Sequence, residues 1–235
     1  PSSARLPVSE VVYRVPVEQC ENRFGFGVNY IKHALEMRPD FKIPPFPALY
    51  LRNAASMVAH NQPLVRPSIS DTLDYEGELA FVIGKGGRHI PEHLALDHVA
   101  GYLCNNDGSV REFNREPIAI TAGKNFPMTG ALGPELVTAD ELPPGAAGLQ
   151  LATRVNGELR QQENTANMHW GVAALVAWVS SIMPIFPGDI MMTGTPKGVG
   201  AGFNPPKYLQ PGDVVEIEIE GIGCLRNTVE DETVV

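Results

Sequence analysis

Asp74-Tyr75-Glu76-Gly77-Glu78-Leu79-Ala80-Phe81-Val82-Ile83-Gly84 is the stretch whose reading decides the fold. Its β-branched and aromatic content and its glycine stop predict a strand. Successive side chains on a strand point to opposite faces. Tyr75, Leu79, Phe81 and Ile83 therefore share an apolar face that enters a core. Asp74, Glu76 and Glu78 share the other face. Residues i and i+2 lie about 6–7 Å apart. Two carboxylate arms at that spacing can meet on one cation, with metal–oxygen bonds of about 2.1–2.5 Å. A solvated strand face explains the same alternation. A cation site would need a third oxygen ligand, a reactive group and a substrate anchor from elsewhere in the chain.

The chain offers each of these. Val99-Ala100-Gly101-Tyr102-Leu103-Cys104-Asn105-Asn106 predicts a second strand, and Asp107 stands at its end. Strand ends are where a rigid scaffold presents reactive groups, although an Asx-turn would use the same residue. Glu76, Glu78 and Asp107 together would be an all-oxygen set suited to Mg²⁺, Mn²⁺ or Ca²⁺. Without His or Cys in the trio, Zn²⁺ is disfavoured.

His33 and Glu36 stand at i and i+3 on a short helix expected over 29–37, so their side chains are neighbours. A carboxylate beside an imidazole raises its basicity, and such a pair can activate water. An inert surface contact is the alternative. Pro39, Pro44, Pro45 and Pro47 follow as irregular chain, which makes this helix a candidate lid, mobile over residues 30–45. Arg111 and Lys124 are candidate anchors for a carboxylate, or ordinary surface charge. Thr193-Gly194-Thr195-Pro196-Lys197-Gly198-Val199-Gly200 would let backbone approach a small anion but lacks the P-loop pattern. His60, His89, His93, His98, His169 and Cys104 sit in no comparable constellation.

Further strands are expected at Val11–Val15, Ala48–Leu51, Leu149–Asn156, Glu158–Gln162, Ile190–Met192, Val214–Ile219 and Gly223–Val229. Asn156-Gly157 is a hairpin signal. Residues 53–70, Leu132-Gly133-Pro134 and Leu142-Pro143-Pro144-Gly145 read as loops. Pro91 to Asp97 and Ala166 to Ser181 read as helices and 111–116 as a helical turn. The count is about ten short strands and two or three helices. The expected class is α+β and β-rich. A small N-terminal segment with the lid helix, 1–64, precedes a β-rich catalytic domain, 65–235.

Composition narrows the partners. The chain has 235 residues, 43% hydrophobic and 19% charged, with 23 Gly and 21 Pro. This suits a turn-rich globular protein. A formal net charge of −9 argues against nucleic acid or an anionic membrane as partner. A small anionic substrate stays compatible, because a bound divalent cation reverses the local field. The three cysteines have no C-x-x-C spacing and suit a reducing cytoplasm. No apolar run is long enough to span a membrane. The start, Pro1-Ser2-Ser3-Ala4-Arg5, has no signal-peptide core and no initiator Met, which suggests processing or truncation.

With these residues in hand, the sequence resembles the fumarylacetoacetate hydrolase family from about residue 22 to 230. The resemblance rests on Asn29-Tyr30…His33…Glu36-Met37, Asp74-Tyr75-Glu76-Gly77-Glu78-Leu79, Asn106-Asp107-Gly108-Ser109-Val110-Arg111, Gly123-Lys124, Leu132-Gly133-Pro134, Val155-Asn156-Gly157, Pro187-Gly188-Asp189, the Thr193–Gly200 run and Glu220-Gly221-Ile222-Gly223. It implies a mixed β-sandwich roll, usually a homodimer. It implies Mg²⁺ or Mn²⁺ (with Ca²⁺ possible in a crystal) at Glu76, Glu78 and Asp107. It implies a water-activating lid dyad of His33 and Glu36, with Lys124 also catalytic. Arg111, Asn114, Lys124, Thr195 and Tyr30 would bind a small anionic 2-oxo acid. The implied reaction is hydrolysis of a C–C bond in a 2,4-diketo acid of the acylpyruvate or fumarylpyruvate type, through a pyruvate enolate. Oxaloacetate-type decarboxylation, or 2-oxo-dienoate isomerisation or hydration, would use the same site. A non-catalytic metal-binding module is the alternative of another class. Six positions depart from the family pattern. Arg52 replaces a frequent Lys, Asn53 a Pro, Glu112 an Asp and Asn114 a Gln. After Lys124, Asn125-Phe126-Pro127 replaces Ser-Phe-Asp.

Overall fold

In the computed structural model, residues 7, 10–18, 20–114 and 120–234 are described. Along the chain run β1 (Arg23–Gly27), α1 (Ile31–Met37), β2 (Ala48–Leu51), β3 (Met57–Ala59), β4 (Leu64–Arg66), β5 (Leu73–Asp74) and β6 (Gly77–Ile83). Then come β7 (Val99–Asn106), β8 (Ser109–Val110), α2 (Ile120–Gly123), β9 (Gly130–Thr138), β10 (Gln150–Val155) and β11 (Glu158–Asn164). The chain ends with α3 (Val172–Ile182), β12 (Ile190–Met192), β13 (Val214–Ile219) and β14 (Gly223–Asp231). A seven-stranded sheet has the order β2-β1-β12-β6-β7-β9-β3, and a five-stranded sheet the order β11-β10-β13-β14-β4. β5 and β8 form a separate pair. Parallel pairs (β1 with β12, β3 with β9, β14 with β4) mix with antiparallel ones. This is the expected β-rich α+β roll. The division drawn at residues 64/65 falls inside β4. Strands from both sides of it, β1–β3 on one and β6, β7, β9 and β12 on the other, share the larger sheet.

β6 is central and buried on both faces. Leu79, Phe81 and Ile83 enter the main core with Tyr75, as the alternation requires. Ala80 and Val82 enter a second, smaller core with Met57, Leu103, Leu132, Ile190 and Met192, against which Val15, Val17 and Cys20 pack. The strand expected at Val11–Val15 is therefore irregular chain crossing the face of a sheet, not a strand on its edge.

Other expectations are corrected by local physics. The decisive stretch is two strands, with a break at Tyr75-Glu76. There the Asp74 carboxylate accepts the Tyr75, Gly200 and Ala201 N–H groups at 2.9, 2.7 and 2.9 Å and pulls the chain out of the ladder. Residues 53–70 hold β3 and β4, each too short to show an alternation. Leu132-Gly133-Pro134 lies inside β9. Proline is tolerated there because the pairing with β3 ends at Leu132 and β7 carries a register shift opposite. The helix expected from Ala166 begins at Val172, because the backbone of His169 and Trp170 is bonded to Asn29 instead. Glu92–His98 is a 3₁₀ helix rather than an α-helix. The turn expected over 111–116 is 3₁₀ at Arg111–Phe113, and its residues 115–116 lie outside the described residues.

Candidate functional site

The acidic cluster grows from register. Gly77 begins β6 opposite Asn106 at the end of β7, and Glu78 follows opposite Asn105. The Asn106 side chain accepts the Glu76 N–H at 3.0 Å, and the Asp107 N–H donates to the Glu76 carbonyl at 2.9 Å. These bonds gather Glu76, Glu78 and Asp107, with ligand atoms all within 4.8 Å of one another and all buried. Asp74, which shares their face by alternation, is diverted by the break and pairs with Arg111 at 2.7 Å.

Each carboxylate has a different environment. Asp107 accepts Arg52 Nη1 at 2.6 Å, Lys124 Nζ at 2.5 Å and the Tyr50 hydroxyl. Glu76 accepts Lys124 Nζ at 2.6 Å and pairs with Arg111 Nη1 at 2.7 Å. Burial pushes the Glu76 carboxyl up, but Lys124 and Arg111 outweigh it and hold it well below the carboxylate range. Glu78 accepts Asn105 Nδ2 at 3.1 Å, and its Oε1 is buried without a hydrogen-bond partner among the described residues. Burial, then the Asp107 and Glu76 charges, push the Glu78 carboxyl well above its ordinary value. Burial and the same carboxylates raise Tyr50, so it stays a phenol donor.

A divalent cation fits this cluster. Oxygens sharing one cation at about 2.1–2.5 Å lie no more than about 5 Å apart, as these do. The donor set is all hard oxygen. Among the described residues, four carboxylates (Asp74, Glu76, Glu78 and Asp107) face three cations (Arg52, Arg111 and Lys124), one fewer than the acids. The orphaned Glu78 oxygen is where that imbalance is felt.

A cavity of about 300 Å³ opens over the cluster. Its lining includes Glu76, Glu78, Tyr50, Arg111, Lys124, Asn114, Thr195 and, from α1, His33. His33 Nδ1 stands 3.5 Å from Glu36 Oε2. Glu36 also accepts the Gly198 N–H at 3.0 Å. Burial raises the Glu36 carboxyl, but His33, the Gly198 N–H and Lys197 together hold it below its ordinary value. The expected pair thus meets this cavity through His33 alone, with Glu36 behind it.

The expected substrate contacts divide. Arg111, Lys124, Asn114 and Thr195 line the cavity, while Tyr30 is buried outside its lining with an unpartnered hydroxyl. The Thr195 hydroxyl donates to the Gly77 carbonyl at 3.0 Å and accepts Gln161 Nε2 at 2.8 Å. Tyr50, Arg52 and Asn105 were not picked out by the sequence reading as partners of the cluster. Alternation could have found Asn105, two residues before Asp107 on one strand face. Tyr50 and Arg52 come from a distant strand.

A family model for the fumarylacetoacetate (FAA) hydrolase C-terminal domain matches residues 22–230. The chain belongs to the fumarylacetoacetate hydrolase family. It is 39% identical over 226 residues to a mitochondrial oxaloacetate tautomerase of Xenopus laevis, covering 95% of this chain and 70% of that protein. Its fold matches the solved fumarylacetoacetate hydrolase of psychrophilic Exiguobacterium antarcticum with a TM-score of 0.83 and 38% identity, over 93% of this chain and 78% of that one. It matches 5-carboxymethyl-2-hydroxymuconate delta-isomerase of Mycobacterium smegmatis with a TM-score of 0.83 and 32% identity, over 97% and 83%. The family's members are enzymes, hydrolases and isomerases among them, and are generally metal-dependent. Among the described residues no helix is long and apolar enough to cross a membrane.

Proposed function

We propose that this family member is a divalent-cation-dependent hydrolase that cleaves a C–C bond in a 2,4-diketo acid of the acylpyruvate or fumarylpyruvate kind. The observation that carries the reading is that His33, backed by Glu36, lines the same cavity as Glu76, Glu78, Arg111 and Lys124. Mg²⁺ or Mn²⁺ held by Glu76, Glu78 and Asp107 would supply Lewis-acid polarisation of the 2-oxo acid. Arg111 and Lys124 attract the substrate carboxylate. Glu36 orients the His33 imidazole, which takes a proton from water as the water adds to the 4-carbonyl. The C3–C4 bond then breaks, and its electron pair becomes the enolate of pyruvate. The Lys124 ammonium steadies that charge, and a proton returned to C3 gives pyruvate and the second acid.

A second reading is favoured by the identity to the oxaloacetate tautomerase. There His33 would move a proton between C3 and the 2-oxygen with no attacking water. Decarboxylation of oxaloacetate, or isomerisation or hydration of a 2-oxo-dienoate, needs the same anchors. A non-catalytic cation-binding module would have no use for a dyad in the cavity. The proposal takes the partner to be a small anionic 2-oxo acid, not nucleic acid or a membrane. It takes the assembly to be a homodimer and the compartment the cytoplasm. The test is a panel of acylpyruvates, fumarylpyruvate and oxaloacetate with Mg²⁺ or Mn²⁺, reading pyruvate, CO₂ and C3 proton exchange. Pyruvate release from an acylpyruvate supports hydrolysis. C3 exchange alone selects the tautomerase, and no turnover of any substrate sinks both.

A further inference from the structure

The short helix α1 separates two cavities. His33, Ala34 and Met37 line the inner one with the carboxylates. Lys32 and Glu36, four residues apart and so on one helix face, line an outer one of about 510 Å³ with Arg160, Glu163, Lys197 and Phe203. We propose that this outer cavity is a second anion site, taking a small oxyanion of carboxylate or phosphate type, and that its occupant clamps α1 in the closed position.

The charges there are unevenly satisfied. Glu163 accepts Lys32 Nζ at 3.1 Å and Asn167 Nδ2 at 2.6 Å, and Glu36 accepts the Gly198 N–H at 3.0 Å. The acids thus have donors. Arg160 donates Nη2 to Glu158 at 2.9 Å and acts on the Tyr75 hydroxyl, but its Nε and Nη1 are buried with no well-aligned hydrogen-bond partner among the described residues. A buried guanidinium N–H left unpaired loses its hydration without compensation, so an acceptor is favoured there. Lys197 lines the same cavity, is exposed, and pairs with no carboxylate among the described residues. The guanidinium is held in place, stacked on the Phe203 ring at 5.3 Å, with Lys207 Nζ over that ring at 4.8 Å. The wall is close-fitting: a Cβ on Gly198 would sit 2.0 Å from the Arg160 carbonyl. An oxyanion here accepts from Arg160 and Lys197 and attracts Lys32, which ties α1 to β11 and to the 196–202 loop. Because Glu36 belongs to this face and to the dyad, occupancy reaches the inner cavity through α1.

The experiment is hydrogen exchange over residues 31–37 of the whole protein, titrated separately with inorganic phosphate and with succinate. Exchange by opening of α1 should slow by 1 + [L]/Kd, about tenfold at ten times Kd. Slowing by either anion supports the site, and the tighter one names the source. Lys197→Gln, an exposed change that leaves the fold alone, should weaken the effect at least tenfold, and Arg160→Gln should abolish it. Lys124→Gln, which disturbs the inner cavity and its carboxylates but no group of the outer one, should leave the anion dependence intact. No slowing with either anion overturns the proposal. So does slowing undiminished in Lys197→Gln, or lost in Lys124→Gln.

Discussion

The carboxylate cluster and α1 face the same cavity but are built in opposite ways. Glu76, Glu78 and Asp107 stand at the ends of β6 and β7, in the middle of a seven-stranded sheet with core on both faces. Asp107 alone is held by Tyr50, Arg52 and Lys124. α1 is a seven-residue helix with no side-chain cap and one buried residue, Ala34. A helix that short does not hold itself in water. It is fixed from outside, by Glu36 on Gly198 and by Asn29 at its root. The difference teaches where rigidity is needed. Charge stabilisation works only if the groups are already in place. A base that must admit substrate can ride on an element that opens.

The largest effect should come from breaking the rigid half. Glu78→Gln removes the ligand whose Oε1 has no hydrogen-bond partner among the described residues. Cation affinity by calorimetry should fall more than about 100-fold, above the usual cost of a supporting residue, and turnover should vanish. The fold should not suffer. Glu78 is buried against like charges, so the cation-free thermal midpoint should stay or rise. A large drop in that midpoint would make Glu78 a structural residue instead.

Breaking the hinged half should cost less and cost it selectively. His33→Ala should lower acylpyruvate cleavage by about 10²–10⁴-fold, the usual worth of a general base. Decarboxylation of oxaloacetate needs no attacking water and should keep much of its rate. An equal fall in pyruvate and CO₂ release would assign His33 to lid closure or substrate orientation.

Asn29 lets the comparison be sharpened without touching the chemistry. Its side chain donates to the Trp170 and Thr193 carbonyls at 3.0 and 2.7 Å and accepts the Trp170 N–H at 2.7 Å. Asn29→Ala strips three buried or half-buried bonds and should destabilise by about 1–3 kcal/mol in urea unfolding. Hydrogen exchange should rise more in 31–37 than in β6. A uniform rise would mean that Asn29 supports the whole sheet.

The two halves also differed in legibility. Alternation in 77–83 predicted the buried face of β6. The i, i+2 spacing put Glu76 and Glu78 together, and i, i+3 paired His33 with Glu36. The break at Asp74 was not legible, because it is made by Gly200 and Ala201 N–H groups far along the chain. Nor was the second face of β6, whose cover is the irregular segment carrying Val15 and Val17. β3 and β4 were missed because three residues are too few to display a period. Arg52 and Tyr50 reach Asp107 only once β2 is in the sheet, beside β1. Local patterns showed what each strand offers, while the partners that fix its charge came from strands distant in sequence.

The smallest effect separates the halves by pH. The Glu36 carboxyl lies below its ordinary value in the folded protein: burial raises it, but His33, the Gly198 N–H and Lys197 prevail. A lowered folded value means that the ionised form stabilises α1 in its place. That contribution is complete above the unfolded value of about 4.3 and is lost as pH falls through the lower folded value. Glu36 is partly solvated, so the gain is modest. Exchange in 31–37, corrected for intrinsic rates, should therefore be flat from neutral pH to about 5 and rise below about 4. In Glu36→Gln it should start higher and lack that step. The cluster beneath should keep its β6 protection through the same range until global unfolding. A step that persists in Glu36→Gln would assign the acid sensitivity of the lid to another carboxylate, with Glu163 on Lys32 the next in place.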